Sequence, residues 1–198
     1  MSAREALRTA TAARHEALHR AAPFAALMEG RLDRAGYRRL LMRLYGFHRA
    51  LETRLEACEA ELVEFGIDPV RHNRTYRLRV DGMILGADAA MMAALPVAAL
   101  PSPGPRGWAI GCLWVREGST LGGRVMARKL DHLLAGEAGR TFLLGGPDDA
   151  LLWRDCCRAV EECGADPARL AAMVEAACAV FDAFADWFAT EPAGTMYA

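Results

Sequence analysis

Two short stretches carry residues whose types and spacing suit chemistry. His15-Glu16-Ala17-Leu18-His19 fits the pattern H-E-x-x-H, in which two imidazoles one helical turn apart bind zinc and the carboxylate between them serves as base. The longer form of that pattern needs a further glycine and histidine, and Ala22 and Ala25 stand at those positions. Zinc is therefore not expected, and a zinc hydrolase is the least favoured reading. The second stretch, Glu117-Gly118-Ser119-Thr120-Leu121-Gly122-Gly123, places three glycines inside what otherwise reads as one long helix. Each interior glycine costs a helix about 1 kcal/mol relative to alanine. That cost makes sense where something flat must approach the backbone or where the helix must bend. Close helix–helix packing is the competing explanation, and the density of glycines favours a ligand.

Other residues are candidates by type. Arg154 and Arg158 lie one helical turn apart, and guanidinium groups pair well with carboxylates, so the two read as a carboxylate clamp or as a solvated basic edge. Phe181, Phe184 and Phe188 share one face of the last helical segment, as core or as the wall of a flat apolar ligand.

The elements that must position these residues are helical. Ser2 and Glu5 form a capping box that opens a helix running to about residue 22, where Pro23 marks a break. Asp33 caps a long helix on which Tyr37, Leu40, Leu41, Leu44, Tyr45, His48, Leu51, Leu55 and Leu62 recur at helical spacing, ended by Gly66 and Pro69. Residues 67–82 are less regular. A short helix spans Asp88 to Leu95, and a proline-rich connection covers Pro96 to Pro105. The glycine-bearing helix runs to about Leu134. Asp148 caps a helix to Cys163, and Asp166-Pro167 starts the last one. No strand alternation or internal repeat is present, so the chain reads as one all-α domain over residues 1–198, with 190–198 a loose tail.

The chain has 198 residues, 53% of them apolar, and balances 24 basic against 25 acidic side chains for a net charge of -1. No basic excess points to nucleic acid, and no apolar run is long enough for a membrane span. Six cysteines without paired spacing read as reduced thiols, which suits a cytoplasmic protein.

One histidine on a helix can also hold a heme iron through a single imidazole nitrogen. Leu7-Arg8-Thr9-Ala10-Thr11-Ala12-Ala13-Arg14-His15-Glu16-Ala17-Leu18 resembles the proximal helix of the heme oxygenase family, and Glu117 to Gly123 is similar to its kinked distal helix. The spacing from His15 to Gly30, Tyr37 and Leu44-Tyr45 fits as well, and the form looks like bacterial members, including those associated with bacteriophytochromes. The resemblance implies a single-domain helical bundle with heme between the two helices and His15 as the axial iron ligand. It places Gly118, Gly122 and Gly123 on the distal side. It makes Arg8, Arg154 and Arg158 propionate contacts and puts Phe24, Phe181 and Phe188 close to the heme. Ser119 stands where mammalian members have an aspartate, and Leu113 and Val115 replace an aromatic and an arginine, so the distal polar network must be built differently.

The activity the resemblance implies is oxidative cleavage of heme to biliverdin, carbon monoxide and iron, with heme as both substrate and oxygen-activating group. Electrons would come from an external donor, a reductase or ferredoxin, because the chain carries no flavin or nicotinamide motif. A biliverdin-using phytochrome or iron acquisition is the implied destination. The competing function is a protein of the same fold that holds heme or a tetrapyrrole without turning it over, as sensor or carrier, and the change at Ser119 keeps it open.

Overall fold

The computed structural model describes residues 1–190, and the expected tail beyond Thr190 lies outside the described residues. The described residues form helices and one 3-10 turn, with no strand among them. Helix α1 spans Ala3–Arg20, and both bonds of its capping box are made: Glu5 N–H donates to Ser2 Oγ and Ser2 N–H to the Glu5 carboxylate. Helix α2 (Ala22–Met28) has Pro23 in its first turn, where a missing N–H costs nothing. Helix α3 (Arg34–Glu56) is capped by Asp33. It is shorter than the periodicity predicts, because the chain breaks at Ala57 and Cys58 before α4 (Glu59–Glu64).

The irregular stretch that follows contains a 3-10 turn (Pro69–His72) and helix α5 (Thr75–Ile84), which the sequence pattern does not announce: Arg77 and Arg79 interrupt its apolar residues. Helix α6 (Ala89–Ala94) is capped by Asp88 as expected. Helices α7 (Trp108–Gly118) and α8 (Gly123–Arg128) replace the single long helix expected to reach Leu134. Then come α9 (Thr141–Leu144), α10 (Asp149–Cys163) and α11 (Pro167–Ala189). Asp166 accepts from the N–H groups of Ala168 and Arg169 and caps α11 as the sequence predicts.

The main core joins α1, α3, α7, α10 and α11 through Leu7, Phe47, Leu51, Ile110, Leu113, Cys156, Val160, Met173 and Val180. A second cluster packs α2, α3, α5, α8 and α9 around Leu40, Leu44, Leu78, Leu130 and Leu143. Helix α7 lies tightest on α11, and Gly111 makes that possible. A Cβ there would come 2.3 Å from the Met173 carbonyl oxygen and 2.8 Å from its Cα, so the two backbones touch where any side chain would separate them. Gly111→Ala is accordingly expected to lower stability by about 1–3 kcal/mol, read from urea denaturation midpoints.

Candidate functional site

The break between α7 and α8 is a tightened helical turn. Thr120 N–H bonds the Glu117 carbonyl, Leu121 N–H that of Gly118 and Gly123 N–H that of Thr120, all at 3.2 Å and all three residues back. Ser119 Oγ donates to the Arg116 carbonyl at 2.7 Å and Thr120 Oγ adds a second bond to the Glu117 carbonyl at 2.8 Å, so side chains help satisfy the carbonyls at the end of α7. The three glycines then divide. A Cβ on Gly122 would meet nothing within 4 Å, and one on Gly118 only Trp153 at 3.9 Å, whereas one on Gly123 would strike the Leu143 carbonyl at 2.3 Å. Gly123 serves backbone packing against α9; Gly118 and Gly122 face open space.

That space is a cavity of about 660 Å³, within the range of roughly 300–1,000 Å³ common for cofactor and ligand pockets. One wall is α1, through Arg4, Arg8, Thr11, His15, Leu18 and His19; the facing wall is α3, α7 and the broken turn, through His48, Trp114, Arg116, Gly118, Ser119 and Gly122. Phe24, Phe181 and Phe184 close the rest. The lining surface is mostly apolar, and its polar side chains come from α1 and from the α3, α7 and broken-turn wall.

His15 stands with its ring 4.7 Å from that of His19 and 6.2 Å from that of Phe181. Partial burial, helped by neighbouring His19, lowers its pKa and favours the neutral imidazole, the form able to ligate a metal. Arg8 is exposed at the cavity and makes no ion pair among the described residues, while Arg4 is held by Glu161 at 2.7 Å.

The structure thus brings His15, Arg8, Phe24, Phe181, Gly118, Ser119 and Gly122 to one cavity. It does not bring Arg154, Arg158 or Phe188 there. Arg154 reaches into solvent, with its side chain 72% exposed and 3.8 Å from Asp155. Arg158 turns the other way, to the Phe65 carbonyl at 3.0 Å and to Glu162 at 3.0 Å. Phe188 packs behind Phe24, ring to ring at 5.0 Å, and Phe184 takes the lining position instead.

Behind the broken turn lies a buried charge network. Glu117, with no accessible surface, accepts from Arg74 at 2.7 Å and Arg116 at 3.0 Å and shares a 3.0 Å hydrogen bond with His72 Nδ1. Arg116 also reaches Glu52 at 3.2 Å, and Glu52 accepts from the N–H groups of Arg74 and Thr75. Burial alone would raise the Glu117 carboxyl, but the His72 hydrogen bond and the Arg116 and Arg74 charges outweigh it and hold the carboxyl below its usual range. One sequence signal could have found part of this network. Glu52 sits four residues after His48 and three before Leu55, on the apolar stripe of α3.

Three nitrogens on cavity-lining side chains, Arg116 Nε, Trp114 Nε1 and His48 Nδ1, are enclosed and find no partner among the described residues. His48 is 5% exposed, and burial together with the Arg116 and Arg74 charges pushes its pKa down to about 3.

A flat ligand with an iron to be bound by one imidazole and acidic groups to be met by arginine fits these residues, and the comparisons with known proteins agree on the family. The heme oxygenase family model matches residues 1–190, and the chain belongs to the heme oxygenase family. Among solved structures it is similar to heme oxygenase-1 of the cyanobacterium Synechocystis, determined in complex with heme, at 16% identity and TM-score 0.75, covering 96% of this chain and 91% of that one. It is also similar to the heme oxygenase of Leptospira interrogans, at 20% identity and TM-score 0.73, covering 95% of this chain and 98% of the other. No curated protein sequence matches it.

Two outcomes follow from the buried groups. Glu117→Leu leaves two buried guanidinium groups short of a carboxylate and is expected to cost about 3–5 kcal/mol in denaturant unfolding. His48 titrates at about 3 in the fold against 6.5 for an ordinary histidine, so between those values the unfolded chain binds the extra proton. Stability is expected to fall as pH drops below about 6.5, and His48→Leu should remove that part of the slope in melts taken from pH 7 to pH 5.

Proposed function

We propose that the chain degrades heme, cleaving it with oxygen and electrons from an external donor to biliverdin, carbon monoxide and iron. The observation that carries this reading is the cavity between His15 on one side and the side-chain-free backbone of Gly118 and Gly122 on the other. Heme would supply both the ring that is opened and the iron that activates oxygen.

The chain's own residues do the rest. The neutral imidazole of His15 would hold the iron through its lone pair. Gly118 and Gly122 let a flat ring lie against backbone. Leu18, Phe24, Phe181 and Phe184 hold the ring in apolar surroundings that exclude bulk water. Arg8, with no competing ion pair among the described residues, is the guanidinium for a propionate, and Arg4 stands beside it on α1. Arg154 and Arg158 are given no role in this reading, because neither lines the cavity. Electrons come from a separate reductase or ferredoxin, and the product serves a biliverdin-using phytochrome or is the by-product of iron acquisition.

One observation favours the second reading, a carrier or sensor that holds heme intact. Ser119 commits its hydroxyl to the Arg116 carbonyl, which draws it from the cavity side where a water would be held. Titration with hemin without oxygen, followed by reductant and air, separates the two. An enzyme loses its Soret band and gains biliverdin absorbance, whereas a carrier keeps the Soret band. His15→Ala should abolish the axial ligation and leave the helical circular dichroism unchanged. Arg8→Ala should weaken hemin binding by roughly tenfold, and Arg158→Ala should leave it within twofold of the parent. A chain that takes up no hemin in one-to-one ratio sinks both readings.

A further inference from the structure

His48 is the one imidazole on the wall that faces α1. It comes from α3 and lies beside the broken turn, where it also lines a smaller apolar pocket of about 90 Å³ between Ser119, Thr120, Phe142 and Phe184. The Phe47 and Phe142 rings fix its orientation edge-on at 5.9 and 5.0 Å. It is 5% exposed, its Nδ1 is enclosed without a partner among the described residues, and it lines the cavity. Arg116 lines the same wall, with both terminal nitrogens committed to Glu117 and Glu52 and its Nε left without a partner among the described residues. An imidazole is costly to keep in an apolar wall, and with Nδ1 enclosed it is Nε2 that is left to meet a ligand in the cavity.

Ser119 does not compete for this role, because its hydroxyl is bonded to the backbone of its own helix. We infer that His48, backed by Arg116, is the group that hydrogen-bonds a water or a small anionic ligand on the side of the cavity away from His15. The inference rests on the heme-binding reading above and adds a positioning residue to it.

Burial, with the field of Arg116 and Arg74 added to it, keeps the ring neutral, so it carries one N–H and one lone pair. We take the tautomer with the proton on Nε2, since Nδ1 is enclosed and has no acceptor among the described residues. His48 therefore acts as a donor to what lies in the cavity. It stays a donor across the neutral range, without the switch in charge that an ordinary histidine would make.

Fluoride binding to the ferric hemin complex at pH 7 tests this without turnover, since fluoride at iron is held by a hydrogen-bond donor facing it. Replacing His48 by leucine should weaken fluoride binding by about tenfold or more, the loss expected for a hydrogen bond to an anion. His48→Gln, which keeps a donor, should recover most of the affinity, and Ser119→Ala should change it less than twofold. The hemin-free His48→Leu protein should melt no lower than the parent at pH 7, because an unpaired nitrogen is exchanged for methyl groups. If His48→Leu does not fold, His48→Phe carries the same test. Fluoride affinity within twofold of the parent in the donor-free variant, or a loss in Ser119→Ala as large as in His48→Leu, overturns the inference while hemin binding keeps the heme reading intact. Failure of the parent to bind hemin overturns the reading and the inference with it.

Discussion

The Glu117 carboxylate, one residue before the chain breaks, is the constraint on which the rest of the site depends. It has no accessible surface, and its partners come from three places: Arg116 from its own helix, Arg74 from the residue before α5, and His72 from the 3-10 turn. Glu52 extends the same network to α3. Moving such charges out of water costs several kcal/mol per ion, so the network is poor evidence of net stabilisation. Its value is geometric. Helix α7 cannot slide or turn without unpairing charges in a medium where an unpaired charge is prohibitive. The end of α7 is thereby fixed at the place where glycines deprive it of side chains to pack.

That fixation explains how a glycine-rich segment keeps one shape. Ser119 and Gly122 both have ordinary right-handed backbone angles, so neither glycine freedom nor strain shapes the break. The turn is tightened by bonds three residues back and closed by two hydroxyls on helix-end carbonyls. The glycines are present for what their missing side chains leave room for: the Leu143 backbone at Gly123, the Met173 backbone at Gly111, and the cavity at Gly118 and Gly122. Packing and ligand access are competing explanations of one motif, and within it Gly123 packs while Gly118 and Gly122 leave a cavity open.

Legibility in the sequence follows the range of the interaction. Ser2 with Glu5, and Asp33, Asp88 and Asp166, announce helix starts because a cap is a bond between residues two or three apart. Helix α5 was hidden because Arg77 and Arg79 obscure its pattern and its fold depends on α3 and α9 packing on it. The resemblance gave positions, of which His15, Arg8, Gly118 and Gly122 line one cavity and Gly123 packs against α9 instead. Arg154 and Arg158 were correctly read as one helical turn apart, but spacing along a helix says nothing about how that helix is rotated towards a cavity. His48 was visible on the apolar stripe of α3, and only the three-dimensional neighbourhood shows that its Nδ1 is enclosed and unpaired.

The two walls of the cavity are built to different standards, and that difference bears on how a large flat ligand gets in. The α7 wall is tied by buried charges and by backbone contact with α11. Helix α1 buries Ala3, Ala6, Leu7 and Thr11, all in its first half, and nothing from Ala12 to Arg20, the half that carries His15 and His19. Its ion pair to the body of the fold there is Arg14 to Asp182 at 2.7 Å, an exposed pair of the kind worth at most about 1 kcal/mol, and Arg20 pairs only with Glu16 of the same helix. Few buried contacts and solvated ion pairs are the marks of low local stability. His15 therefore sits on the wall that yields, against a glycine wall that does not. A ligand bridging the two would add to α1 the anchoring that its own sequence leaves out, so occupancy and the order of α1 are coupled by mass action.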